Sequence, residues 1–226
     1  MKIRILSILL LAYQIGFAQE PLKPSTYDPT VVFSPFINFQ PSTVYRSASG
    51  NPGPNYWQNQ ANYKITAILD DAQNSVTGSV KIEYINNSPD ELTFIWLQLD
   101  QNKFKHESRG SKTTPPGLGR YGIKEFEGGY SISNLKVNQQ GFNAKNQGNK
   151  SIIDDTRMQI FLNEPLKPKQ KVEISMDFNF LIPNNGADRM GMFDAKDGKV
   201  YEIAQWYPRV CVYDDIEGWN TTPYLG

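Results

Sequence analysis

Between Lys171 and Phe180 the chain alternates without a break. Val172, Ile174, Met176, Phe178 and Phe180 fall on one side, and Lys171, Glu173, Ser175, Asp177 and Asn179 on the other. A period of two places successive side chains on opposite faces of an extended strand, so this stretch predicts a strand with one face in a core. The rest of the chain has to supply the neighbours that hide that face.

It does so with more of the same pattern. Tyr63, Ile65, Ala67 and Leu69 alternate up to a break at Asp70-Asp71, and Val76, Gly78, Val80, Ile82 and Tyr84 up to Asn86-Asn87-Ser88-Pro89. Leu92 to Leu99 is almost continuously apolar and aromatic, as in a strand buried on both faces. With short turns between them, these three predict a meander. Ile132–Val137 and Met158–Leu162 read as further strands, the latter followed by a turn at Pro165-Leu166-Lys167-Pro168-Lys169. Asp197-Gly198, between Met192-Phe193 and Val200-Tyr201, signals a hairpin. Tyr201 to Arg209 opens as an alternating strand and turns into an aromatic-rich bend. No stretch has a helical period, and 15 Pro, 17 Gly, 12 Tyr and 12 Phe suit strands and turns. The expected fold is all-β, a sheet or sandwich.

The chain's organisation follows. Residues 1–18 have the basic start, apolar run and small residues of an export signal, with no further membrane span expected after cleavage. Residues 19–55, rich in Pro, Ser, Thr and Asn, predict an irregular segment, and 56–226 the β domain. Residues 102–129 interrupt the strands with Lys103, Lys105, His106, Arg109, Lys112, Arg120 and Lys124, a long basic loop diluted by Glu107, Glu125 and Glu127. With 23 basic and 23 acidic residues the net charge is zero, which gives no electrostatic case for nucleic acid or an anionic membrane. Cys211 is the only cysteine, so the fold rests on packing rather than on an internal disulfide.

Chemistry is harder to find. His106 is the only histidine, so the chain cannot build a His-Glu-x-x-His zinc helix, and no Gly-x-Ser-x-Gly elbow is present for a serine triad. No catalytic or metal-binding residue is assigned. Asp214, Asp215 and Glu217 suit either a Ca²⁺ site or a turn reversed by Gly218, and Asp154-Asp155 form a second acidic pair. Gln205, Trp206 and Tyr207 stand out: an amide and two aromatics at a strand end can line a cleft that grips a peptide, or can simply pack.

Several stretches in order carry a resemblance. They are Gly50-Asn51-Pro52-Gly53-Pro54-Asn55-Tyr56-Trp57-Gln58-Asn59, the strand pair Tyr63–Asn87 with Ser88-Pro89, and Trp96-Leu97-Gln98-Leu99-Asp100-Gln101-Asn102. Pro165-Leu166-Lys167-Pro168, Ala204-Gln205-Trp206-Tyr207-Pro208-Arg209 and Tyr213-Asp214-Asp215-Ile216-Glu217-Gly218-Trp219-Asn220 complete the set. Together they resemble the N-terminal domain of bacterial secreted zinc aminopeptidases of peptidase family M1. The resemblance implies a saddle-like β domain that forms one wall of the active-site cleft of a zinc-bearing catalytic domain in the same polypeptide. It implies that Gln205 helps hold the amino terminus of a peptide substrate. Tyr207 sits at the neighbouring substrate position, where many members carry Gln or Glu.

The family's Gly-x-Met-Glu-Asn and His-Glu-x-x-His motifs belong beyond Gly226. The expectation is therefore a truncated domain, incomplete at its C-terminal end, inactive alone, with zinc only in the absent part. The alternative is a stand-alone exported β domain that binds peptide or glycan without catalysis.

Overall fold

The computed structural model describes residues 41–113, 126–141, 150–184, 186 and 189–226. From residue 43 onward they belong to one unit, Thr43–Gly226. The export-signal reading, residues 19–40 of the irregular segment, residues 114–125 of the basic loop and the stretch 142–149 lie outside the described residues.

The strands in chain order are β1 (Gln60–Asp70), β2 (Ser75–Ile85), β3 (Leu92–Gln98), β4 (Ser131–Val137), β5 (Gln140–Gly141), β6 (Ser151–Asp154) and β7 (Arg157–Leu166). They continue with β8 (Lys171–Leu181), β9 (Met190–Ala195), β10 (Gly198–Ile203), β11 (Arg209–Val210), β12 (Tyr213–Asp214) and β13 (Gly218–Trp219). One sheet runs β1-β2-β8-β4-β5 and a second β11-β3-β7-β6, with two-stranded ribbons β9-β10 and β12-β13. The strand pairings are antiparallel. The fold is all-β.

The alternation of β8 sets the core. Val172, Ile174, Met176, Phe178 and Phe180 are all buried. They lie beside Tyr84, Ile82, Val80, Gly78 and Val76 of β2, because the two strands pair residue for residue over their whole length. Ile95 and Leu97 of β3 and Met158 and Ile160 of β7 complete the same apolar cluster from the second sheet. The two inner faces thus share one core, and the outer face of β8 keeps Lys171, Glu173 and Asp177 in ladders such as Lys81–Glu173 at 2.6 Å and Lys171–Glu83 at 2.7 Å.

Several sequence expectations need correction. The meander stops after two strands: β2 takes β8 as its second neighbour, and β3 belongs to the other sheet. Nor is β3 buried on both faces. Ile95 and Leu97 are sealed, whereas Phe94 and Trp96 are half-buried, edge-on to Phe161 and beneath the Arg157 guanidinium. Leu69, read as inward, is 46% exposed because β1 is the sheet's outer strand. Strand β7 runs on through Leu166, with the turn displaced to Lys169 at φ 65°. Part of the connection 139–150 is the short strand β5, and β6 follows it at Ser151. The basic loop also contains a 3-10 turn, Asp100–Phe104, and a short helix, α1 (Arg109–Thr113). The hairpin signal holds: β9 and β10 pair from Ala195↔Gly198 to Met190↔Ile203.

The change of sheet after β2 is anchored by a buried amide. Asn86 is 0% exposed. Its Nδ2 donates to the carbonyls of Asp90 (2.7 Å) and Leu166 (2.9 Å), and its Oδ1 accepts from the backbone N–H (3.1 Å) and hydroxyl (2.6 Å) of Ser88. An apolar replacement strands four polar groups in the interior. Asn86→Ala is therefore expected to lower unfolding free energy by about 2–4 kcal/mol in urea titrations, at one to two lost buried partners' worth. A loss below half a kcal/mol rejects this role.

Candidate functional site

The stretch after β10 is held open by its own backbone. The strand ends at Ile203, and the run to Arg209 turns into a bend, as its alternating start and aromatic continuation suggested. Ala204 N–H still donates to the Arg189 carbonyl, and Gln205 then enters the left-handed region at φ 46°, a conformation unusual for a residue with a Cβ.

Two buried side chains fix that turn. Gln101, 2% exposed, donates through Nε2 to the Ala204 carbonyl at 3.0 Å and to the Gln205 carbonyl at 3.3 Å. The Tyr130 hydroxyl donates to the same Gln205 carbonyl at 3.2 Å. Burial, and secondarily the Asp100 carboxylate, push the Tyr130 phenol well above its ordinary pKa, so it stays a donor. Asp100 is itself 1% exposed and accepts from Arg209 Nε at 2.9 Å. Burial pulls the Arg209 guanidinium down most, but the hydrogen bond to Asp100 and the attraction of that carboxylate's charge together outweigh it, and the net shift is upward.

The aromatic pair packs partly against neighbouring rings. Trp206 leans on Phe178 at 6.4 Å between centroids, and Tyr207 sits edge-on to Tyr63 at 5.5 Å and to Trp206 at 5.2 Å. Both are half-buried against the core. The Gln205 carboxamide is different: its Oε1 accepts from the Tyr224 hydroxyl at 3.3 Å. Tyr224 is seated by its own N–H, which donates to Thr156 Oγ1 at 2.8 Å.

Gln101, Tyr130 and Tyr224 have no local sequence signal for this role, because they reach Gln205 across 104, 75 and 19 residues. Only Gln101 lies inside a stretch singled out by the sequence. Cys211 is buried, and burial holds its thiol up to about 12.

The remaining candidates part company with the site. Asp214 Oδ1 accepts from the N–H groups of Ile216 and Glu217, each at 2.9 Å, and Asp215 pairs with Arg46 at 2.7 Å, which is turn chemistry ending at Gly218 with φ 70°. Asp154 pairs with Arg157, and Asp155 lies 3.9 Å from Arg109. His106 is exposed, and its neighbour Glu107 pairs with Lys112 at 2.8 Å. No group of three or more His, Cys, Asp or Glu side chains is placed to hold a metal among the described residues. A cavity of about 470 Å³ opens at the other strand ends, lined by Val137, Leu162, Glu164, Leu166 and Lys171 among others, and includes no residue of the Gln205 bend.

Fold and site together define an antiparallel β domain with a hydrogen-bonded, amide-bearing bend. No protein-family model matches the chain, and no curated protein matches it. Its neighbours among solved structures include M1 zinc metallopeptidases. One is a point mutant of a two-domain M1 zinc metallopeptidase bound to L-tryptophan, with 11% identity and TM-score 0.36, covering 62% of this chain and 24% of that one. Another is a point mutant of the M1 zinc metallopeptidase of Deinococcus radiodurans bound to a Tyr-Ser-Ala substrate, with 8% identity and TM-score 0.36, covering 73% and 42%. A third is the major pilin subunit BcpA of Bacillus cereus, with 9% identity and TM-score 0.32, covering 71% and 45%. The chain thus spans less than half of each neighbour's length, and likenesses this weak carry no functional argument.

Proposed function

We propose that this chain is the N-terminal substrate-wall domain of an exported zinc aminopeptidase. In this reading Gln205 and Tyr207 lie along the path of a peptide substrate. The catalytic domain of the same polypeptide supplies zinc, which polarises the scissile carbonyl and activates water. The chain has one histidine, and its carboxylates among the described residues are not grouped to hold zinc, so no catalytic step is assigned to it.

One observation carries the reading: the separate stretches that resemble the family converge in space. Trp57 stacks on Tyr213 at 5.8 Å, and Tyr84 on Trp219 at 6.0 Å. Asp100 meets Arg209, and Gln101 meets Ala204 and Gln205. Stretches that merely resembled a family by chance have no reason to make contact across more than a hundred residues. No helix among the described residues is long and apolar enough to cross a membrane.

Sequencing the source DNA through and past codon 226 tests the proposal. An open frame with Gly-x-Met-Glu-Asn and His-Glu-x-x-His is the expected result. A confirmed stop without those motifs would favour the other reading, an exported β domain that holds peptide or glycan without catalysis. The purified chain is expected to show no aminopeptidase turnover and no stoichiometric zinc. Tight one-to-one zinc together with turnover would overturn the assignment.

A further inference from the structure

Natural sheets guard an outer strand with proline, with a bulge, or with charge inside the strand. Strand β1 is the outer strand of its sheet. It contains no proline, and its ladder with β2 runs without a bulge from Gln60↔Ile85 to Asp70↔Ser75. Its second half is exposed on both faces: Ile68 is 68% exposed on the outer face and Leu69 46% on the inner one. Thr66 and Ala67 between them and Ile65 are exposed as well. The charge inside the strand is Lys64, exposed and opposite Lys81 of β2. Lys81 pairs with Glu173 at 2.6 Å, so the cross-strand neighbour of Lys64 is a like charge that has its own counterion.

We infer that β1 pairs antiparallel with β1 of a second copy of this chain, about a two-fold axis at Ala67. The pairing joins two five-stranded sheets into one. Two copies that keep their inner faces on the same side pair odd residues with odd and even with even, because side chains alternate between faces. The register is then set by which residue meets itself. Centred on Ala67, Lys64 faces Asp70 of the second copy on the outer face, twice by symmetry, and Thr66 faces Ile68. On the inner face Ile65 faces Leu69 and Ala67 faces Ala67. Opposite charges and apolar pairs are cross-strand combinations that stabilise a sheet. Asp70 is already held in place: its Oδ1 accepts from the N–H groups of Ala72 and Gln73 at 2.9 and 3.0 Å.

The adjacent registers lack this match. Centred on Thr66, Lys64 faces Ile68 and Asp70 faces Asn62. Centred on Ile65, Lys64 faces Thr66, and centred on Ile68 it faces Ala72 beyond the strand. Lys64 therefore disfavours these alternatives and selects the Ala67 register. The pairing does not depend on the aminopeptidase reading above.

Sedimentation equilibrium on the purified full chain tests for the dimer: the weight-average mass is expected to rise with concentration from one chain towards two. Cysteine cross-linking tests the register. Residues directly opposite in an antiparallel pair have Cα atoms about 4.5–5.5 Å apart, within disulfide reach, and the native Cys211 is buried. Ala67→Cys is expected to cross-link to itself under mild oxidation. Thr66→Cys and Ile68→Cys are each expected to stay uncross-linked alone and to cross-link when mixed. Lys64→Glu is expected to weaken the dimer about 3- to 30-fold, since it turns two attractions into two repulsions. It also sets a glutamate opposite Lys81, so the single chain gains a favourable pair and unfolding does not mimic the effect. A mass that stays at one chain up to about 1 mM overturns the inference. So does a dimer that cross-links through Thr66→Cys or Ile68→Cys alone in place of Ala67→Cys, or one that Lys64→Glu leaves unchanged, because the contact then lies elsewhere.

Discussion

Phe178→Ala is expected to lower unfolding free energy by about 3–5 kcal/mol, the range for deleting a fully buried aromatic ring. The ring is 1% exposed and is the hinge of three surroundings. It stands edge-on to Tyr130 at 6.0 Å, supports Trp206 at 6.4 Å and covers Gly78 on the neighbouring strand. Removing it leaves a cavity that its own sheet cannot readily close, since β1, β2 and β8 are fixed by continuous ladders. A loss of this size is a large share of the 5–15 kcal/mol that typically holds a domain together. Urea unfolding at an unchanged m-value measures it.

The same ring explains a glycine in the middle of β2. A Cβ on Gly78 would lie 2.6 Å from Phe178 Cζ and 2.8 Å from the Thr66 carbonyl oxygen. Gly78→Ala is therefore destabilising by about 1–3 kcal/mol in the native background. In the Phe178→Ala background its cost should shrink without vanishing, because the Thr66 carbonyl remains. Strict additivity of the two losses would show that the ring is not what excludes a side chain there.

Arg209→Met is the second large effect, at about 3 kcal/mol, the low end for breaking a buried ion pair. The two partners are unequal: the Asp100 side chain is 1% exposed and that of Arg209 is 45% exposed. Asp100 Oδ1, moreover, has no hydrogen-bond partner among the described residues. Taking away the arginine leaves a carboxylate in the interior with its countercharge gone. Asp100→Asn instead leaves a guanidinium that water already reaches, so its loss should be the smaller. The double variant Asp100→Asn with Arg209→Met should recover part of the loss of Arg209→Met, since no buried charge then remains. Equal losses for the two single variants, measured by urea titration, would reject the asymmetry.

Much of the sheet architecture was written in the order of side chains. The period of two from Val172 to Phe180 and from Val76 to Tyr84 puts one face of each strand in a core, and the structure buries those faces. Such patterns are local, so sequence alone carries them. It also isolated Gln205 and Tyr207, because an amide beside two aromatics before Pro208 is unusual for a strand end. What it did not carry was partnership. Nothing near Leu92 says that β3 leaves the meander; that follows from β2 being paired on both sides and from Asn86 satisfying the crossing.

The site divides along the same line. The residue types at 205–207 are the sequence's own statement, and they left cleft and packing equally open. Only tertiary structure shows their neighbours: Trp206 and Tyr207 lean on Phe178 and Tyr63, and Gln205, at φ 46°, has its carbonyl held by Gln101 and Tyr130 and its side chain met by Tyr224. Strand periodicity is a property of neighbours along the chain, and the partners of a side-chain amide are a property of neighbours in space.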